Sequence, residues 1–170
     1  MKILNLGCGN RLIDGAVNHD ISPHRPEIDV CFDLDAENWN WYIADDLDDT
    51  SYLDKPSQFD RIEMISVIEH LDNPLAAENE CWSLLKPSGL LVLKYPHKDS
   101  FTAYDDLTHR NLLTEYSFDY VDPNTYYGKH NSFYTDKKWH ILTPVSSRKI
   151  IKPHDRGDRI NVKLELEKVI

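Results

Sequence analysis

Through the first hundred residues, short apolar runs recur, and each is closed by a residue that stops a strand or turns the chain. Residues 2–6 form the first run, halted by Gly7. Residues 16–19 end at Asp20, and residues 28–32 (IDVCF) end at Asp33. In residues 59–66, Ile62 and Met64 alternate with Arg61 and Glu63, the period of a strand. Residues 90–95 are apolar almost throughout, as expected of a central strand. A helix separates the last two runs. Asn73 is a good N-cap, Pro74 at the first helical position gives up no hydrogen bond, and Pro87-Ser88-Gly89 stops the chain after Leu75, Trp82, Leu84 and Leu85. Strands alternating with crossovers require a mostly parallel sheet. Thr114 caps an expected short helix over 115–121. Two further strand candidates, 139–151 and 159–169, flank Pro153 and Gly157 and read as an antiparallel hairpin. The segment 39–56, aromatic and then acidic, reads as a surface excursion.

Bulk properties narrow the function. A chain of 170 residues fits a single domain over 1–170. The formal net charge of -10 repels phosphate backbones and speaks against a nucleic-acid partner. No stretch reaches the length of a membrane span, and the N-terminal residues carry no leader pattern. Cys8, Cys31 and Cys81 form no CxxC pair, so neither a zinc ribbon nor a disulfide frame is indicated, and a reducing, cytoplasmic setting fits.

The first run ends in Asn5-Leu6-Gly7-Cys8-Gly9-Asn10. Two glycines separated by one residue let the backbone turn sharply and approach a ligand. Asp20 closes the second run, where a carboxylate accepts both hydroxyls of a ribose, and Asp33 closes the third, within reach of an adenine amino group. In an open α/β sheet, ligands bind outside the carboxyl ends of the strands. Gly7, Asp20, Asp33 and Ser66 all fall at such ends, which points to a nucleoside-bearing ligand.

The order NLGCGN, VNHDI, CFDLD, FDRIEMISVIEHLDNP and LLKPSGLLVLKYP resembles the class I S-adenosylmethionine-dependent methyltransferases over about residues 1–100. The resemblance implies a Rossmann-like, mostly parallel seven-stranded sheet with an antiparallel C-terminal hairpin. It implies S-adenosylmethionine as cofactor, with Asn5, Gly7, Cys8 and Gly9 around its methionine part and Asp20 on the ribose. Ile21 would flank the adenine, Asp33 and Leu34 would meet its edge and face, and Ser66 and Val67 would lie near the sulfonium. It implies methyl transfer to an acceptor, and the acidic charge and short chain favour a small molecule.

Two connections depart from that pattern. Residues 10–15 and 22–27 are too short for the usual helices, which leaves reduced helices on one face of the sheet. A bare apolar face needs cover from 39–42, from the tail or from a second subunit, so a homodimer through that face is an expectation. If the acceptor must lose a proton, His70 and His109 are the candidate catalytic bases. His97, after Pro96, is expected at the same mouth. A metal site from His97, Asp106 and His109 is disfavoured, and no metal is expected. Tyr116, Phe118, Tyr120, Tyr126, Tyr127, Phe133 and Tyr134 read as core and lid packing. The segment DDLTHR at 105–110 has no assigned role. A nicotinamide-dependent oxidoreductase is the enzymatic alternative, disfavoured because Leu12 replaces the third glycine of the dinucleotide fingerprint. A non-catalytic protein that keeps the fold for partner binding is the other.

Overall fold

A computed structural model describes residues 1–39, 42 and 57–169. Most of the expected surface excursion over 39–56 therefore lies outside the described residues. Among those described, no helix is long and apolar enough to cross a membrane.

The apolar runs fold as strands, the first three starting one or two residues later than expected: β1 (Ile3–Leu6), β2 (Val17–Asp20), β3 (Val30–Cys31) and β4 (Phe59–Ile65). Helix α1 (Pro74–Leu84) starts as its sequence demands, with Asn73 Oδ1 accepting from Ala76 N at 3.1 Å. β5 (Leu85–Pro96) follows it directly, and α2 (Tyr126–His130), β6 (Lys138–Ile141), α3 (Val145–Arg148), β7 (Lys149–Lys152) and β8 (Arg159–Val169) complete the described elements. The sheet runs β3-β2-β1-β4-β5-β8-β6, and β7 pairs with β8 off that path. β1 to β5 are parallel, while β8 is antiparallel to β5, β6 and β7. The chain leaves β1 toward β3, then returns to build β4 on the other side of β1. That reversal opens a crevice at the carboxyl ends of β1 and β4.

Three details correct the sequence reading. The run 139–151 is not one strand, and among the described residues the sheet has eight strands rather than seven. Pro144 opens the turn of α3, and Arg148 folds inward to Asp119 Oδ1 at 2.7 Å and Glu115 O at 2.8 Å. Residues 115–121 hold only a 3-10 turn at Asp119–Val121. Ser117 Oγ accepts from Thr114 N at 2.8 Å, and such local side-chain bonds compete with helix formation.

The register separates two unlike faces. Leu4, Ile62, Leu91 and Leu166 stand side by side, as do Leu6, Met64, Leu93 and Leu164, and all eight are fully buried. α1 covers this face, with Cys81 Sγ 3.8 Å from Met64 Sδ. The opposite face carries the rows Asn5-Glu63-Val92-Glu165 and Ile65-Lys94-Lys163. Residues 10–16 and 21–29 contain turns but no helix, so reduced helices on one face are what the structure has. That face is nevertheless polar. Arg11 and Arg61 hold Glu63 at 2.7 and 2.8 Å, and their guanidinium hydrogen bonds outweigh burial and keep its carboxyl below the ordinary value. A face this polar needs less apolar cover than an apolar one.

Candidate active site

At the crevice lies a cavity of about 250 Å³ lined by Gly7, His19, Asp20, Ile21, Phe32, Asp33, Leu34, Ser66, Val67, His70 and Leu71. β1 delivers Gly7, β2 delivers His19 and Asp20, the turn after β3 delivers Asp33 and Leu34, and Ser66 and Val67 follow β4. The glycine turn is left-handed at both glycines, with φ of 58° at Gly7 and 51° at Gly9. Gly9 N donates to Asp20 Oδ2 at 2.7 Å and Ile21 N donates to Asp20 Oδ1 at 2.8 Å. Two amides thus fix the Asp20 carboxylate, and its remaining lone pairs are available at the rim. Ser66 also adopts a positive φ, 59°, a conformation that non-glycine residues keep where the surroundings enforce it.

Seven expected cofactor residues line the cavity: Gly7, Asp20, Ile21, Asp33, Leu34, Ser66 and Val67. Asn5, Cys8 and Gly9 are not in its lining. Asn5 Nδ2 donates to Arg11 O at 2.7 Å and Asn18 Oδ1 at 2.9 Å, so it braces the loop behind the turn. Cys8 is buried, and burial together with the Asp20 charge pushes its thiol up, which makes it a packed thiol and not a nucleophile. Asp35 accepts from Asp72 N at 2.8 Å and steadies the approach to α1.

His19 is the site residue that sequence reading missed. Its Nδ1 accepts from Gly7 N at 3.2 Å, and its Nε2 lies 3.0 Å from Phe32 O. A carbonyl only accepts, so Nε2 carries the hydrogen. One imidazole therefore joins the ends of β1, β2 and β3 under the cavity floor. The available signal was a histidine inside a buried strand, one residue before the acidic strand end.

Of the expected catalytic pair, His70 lines the cavity and His109 stands against it, ring centroids 4.6 Å apart. Burial and the His109 charge hold the His70 imidazole below its ordinary value. Glu69, between Ile68 and His70 in a 3-10 turn, is fully buried, and burial with the Asp106 charge pushes its carboxyl up to about 7. His97 does not line the cavity. It is buried against Glu115, whose Oε2 is 2.9 Å from Nε2, while Nδ1 accepts from Asp99 N. Of the aromatic group, Phe118 is core, whereas Tyr116, Tyr126, Tyr127, Phe133 and Tyr134 are exposed.

A second cavity, of about 230 Å³, shares Ser66 with the first and is lined by Lys94, Ile150, Lys152, Arg159 and Asn161. Lys152 and Arg159 are register partners across β7 and β8, a like-charge pairing that costs stability unless an anion offsets it.

Residues 1–142 match a family described as a methyltransferase domain. The chain belongs to that family. S-adenosylmethionine is the cofactor that goes with it. Over 100 residues the chain is 28% identical to a ubiquinone biosynthesis O-methyltransferase of Xanthomonas campestris, a match covering 54% of this chain and 41% of the relative. The chain thus spans less than half the length of the curated relatives it matches. Among solved structures, a SAM dependent methyltransferase from Archaeoglobus fulgidus aligns with TM-score 0.54 at 15% identity, over 98% of this chain and 86% of the other. The cyclase SpnF aligns with TM-score 0.58 at 11% identity, over 99% and 75%. These two likenesses establish the mostly parallel, Rossmann-like fold, and the second bears a name that is not a methyltransferase's.

Proposed function

We propose that this chain, as one unit over 1–170, transfers the methyl group of S-adenosylmethionine to a small anionic acceptor. The observation that carries the reading is the convergence of the Gly7 turn, Asp20 and Asp33 on one cavity at the sheet's switch point. The donor set suits an adenosyl group. Gly7 leaves a cradle that a side chain would fill, the Asp20 carboxylate offers lone pairs to the ribose hydroxyls, and Asp33 stands at the adenine edge. Leu34, Ile21 and Val67 supply apolar contact.

Bound there, the cofactor supplies a methyl group on a sulfonium, already activated toward displacement. The protein's part is to align the acceptor with it. Ser66 borders both cavities, so an acceptor seated over the second cavity meets the first at Ser66. Among the described residues, the side chains of Lys94, Lys152 and Arg159 make no ion pair or hydrogen bond, in a chain of net charge -10. Three unpaired cations around one hollow select an acceptor bearing phosphate or carboxylate. His70 and His109 act on the acceptor's reacting atom from the other side. The three free cysteines fit a reducing, cytoplasmic location.

The test is a transfer assay. Methyl-labelled S-adenosylmethionine and the enzyme are incubated with a filtered small-molecule cell extract. Label should appear in products retained by anion exchange. Label that stays in the cofactor, or enters only macromolecules, contradicts the reading.

A further inference from the structure

The segment DDLTHR, to which the sequence assigns no role, folds onto the turn that carries Glu69. Arg110 N and Asn111 N both donate to Glu69 O, at 2.9 and 3.0 Å, and Asn111 Nδ2 donates to Leu71 O at 2.7 Å. This docking brings His109 against Glu69, with Nε2 4.0 Å from Glu69 Oε1. Glu69 is fully buried, and neither carboxylate oxygen has a hydrogen-bond partner among the described residues. A buried carboxylate left unsatisfied in this way is an anomaly.

The hydrogen bonds around the two histidines assign the tautomer of each neutral ring. His109 Nδ1 lies 3.1 Å from Ala103 O. The carbonyl only accepts, so Nδ1 carries the hydrogen and Nε2 presents a lone pair toward Glu69. His70 Nδ1 lies 2.9 Å from Thr108 Oγ1, and that hydroxyl donates to Asp106 Oδ1 at 2.6 Å. Thr108 has one hydrogen and gives it to Asp106. It therefore accepts from His70 Nδ1, and His70 Nε2 is bare as well. One ligating atom from each of Glu69, His70 and His109 lies within 4.8 Å of the others. Two imidazole nitrogens beside an unpaired buried carboxylate are a donor set that a cation satisfies.

We propose that Glu69, His70 and His109 form a binding site for a divalent transition-metal cation of the zinc type. Two histidines and one carboxylate are a ligand set of catalytic metal sites, which keep a further position open. Metal bonds of about 2.0–2.2 Å draw the three atoms together by roughly an ångström, a movement within reach of two imidazoles on loops. Ala103 O and the Thr108–Asp106 pair are the outer contacts that orient each ring. Asp106 thus acts as a support and not as a ligand, and His97 has no part. On the methyl-transfer reading, His70 turns the open position toward the cofactor cavity. There the cation binds the acceptor's oxygen or nitrogen and lowers its pKa before the methyl arrives. The site itself does not depend on that reading.

The experiment uses the full chain, stripped with chelator and titrated with Co²⁺, whose visible absorption reports coordination by protein ligands. One equivalent should generate the band, and Zn²⁺ should abolish it. Glu69→Gln and His109→Asn should lose the band, with folding checked by circular dichroism. Thr108→Val, which keeps all three ligands, should weaken binding roughly 10–100-fold and covers the case in which Glu69→Gln fails to fold. Absence of the band in the wild type, or an unchanged band in His109→Asn, overturns the proposal and leaves the cluster as a proton relay. S-adenosylhomocysteine binding, measured on the same samples, separates the two claims: binding without a cobalt band sinks only the metal site, and a cobalt band without binding sinks only the cofactor reading.

Discussion

A β-carbon at Gly7 would stand 2.5 Å from Cγ2 of Val67. Val67 is buried and borders the cavity, so it can give way only into the ligand's space, and Gly7 combines that contact with a φ of 58°. Around Gly9, at φ 51°, nothing lies within 4 Å of the same added atom. The two glycines of one motif therefore do different things. We expect Gly7→Ala to lower stability by about 2–4 kcal/mol, from left-handed strain plus overpacking, and to abolish cofactor binding. Gly9→Ala should cost about 1 kcal/mol, from strain alone, and keep measurable binding. Denaturant melts of both variants with and without S-adenosylhomocysteine check this.

Asp20 fixes the amides of Gly9 and Ile21, and on the proposed reading it also meets the ligand's hydroxyls. Asp20→Asn keeps an acceptor for one amide but loses the charge. Its affinity for S-adenosylhomocysteine should fall at least tenfold, the loss of one charge-assisted hydrogen bond of about 1.5–3 kcal/mol, while the melting temperature without ligand moves by only a few degrees. Calorimetric titration measures the first and a thermal scan the second.

The basic cavity makes a kinetic prediction. Arg159→Ala and Lys152→Ala each leave the cofactor cavity intact, since neither residue lines it. Each should raise KM for the acceptor severalfold with little change in cofactor affinity. The double variant should be the more stable protein at low salt, because the register pairing of like charges is gone.

Glu78 faces the core from α1 with both oxygens unpartnered among the described residues, and burial pushes its carboxyl well above the ordinary value of 4.5, with Lys138 opposing. The folded state therefore keeps a proton that the unfolded state gives up. Stability should fall as pH rises past about 4.5, with a slope of up to about 1.4 kcal/mol per pH unit from this one group. Glu63, held below its ordinary value, acts in the opposite sense and loses its contribution as pH falls. Chemical melts from pH 4 to pH 8 should show the downward slope in the wild type relative to Glu78→Gln.

The strand ends were legible because glycine and aspartate stop strands for local reasons, and the cavity lies where those ends meet. Asn73-Pro74 announced α1 for the same kind of reason. Contacts between distant segments were hidden. Nothing local says that Asn5 turns to Asn18, that His97 sinks onto Glu115, or that Arg148 folds onto Asp119 and breaks the run 139–151. The polar face was readable in part, since Arg61 and Glu63 alternate with Ile62 and Met64. Its meaning needed the register that sets Glu63 beside Glu165's row and Lys94 beside Lys163. Glu69 and His109 lie forty residues apart in sequence, and only the docking of 105–111 onto the Ile68–His70 turn brings them together.

Calorimetric titration of the wild-type chain with S-adenosylhomocysteine and, separately, with NAD bears most directly on the adenosyl site at the Gly7–Asp20 rim. We expect one equivalent of S-adenosylhomocysteine to bind, no heat from NAD, and no binding to Asp20→Ala. Saturation at 100 times the dissociation constant should raise stability by about 2.7 kcal/mol. Absence of heat with S-adenosylhomocysteine, or equal binding by Asp20→Ala, would contradict the assignment.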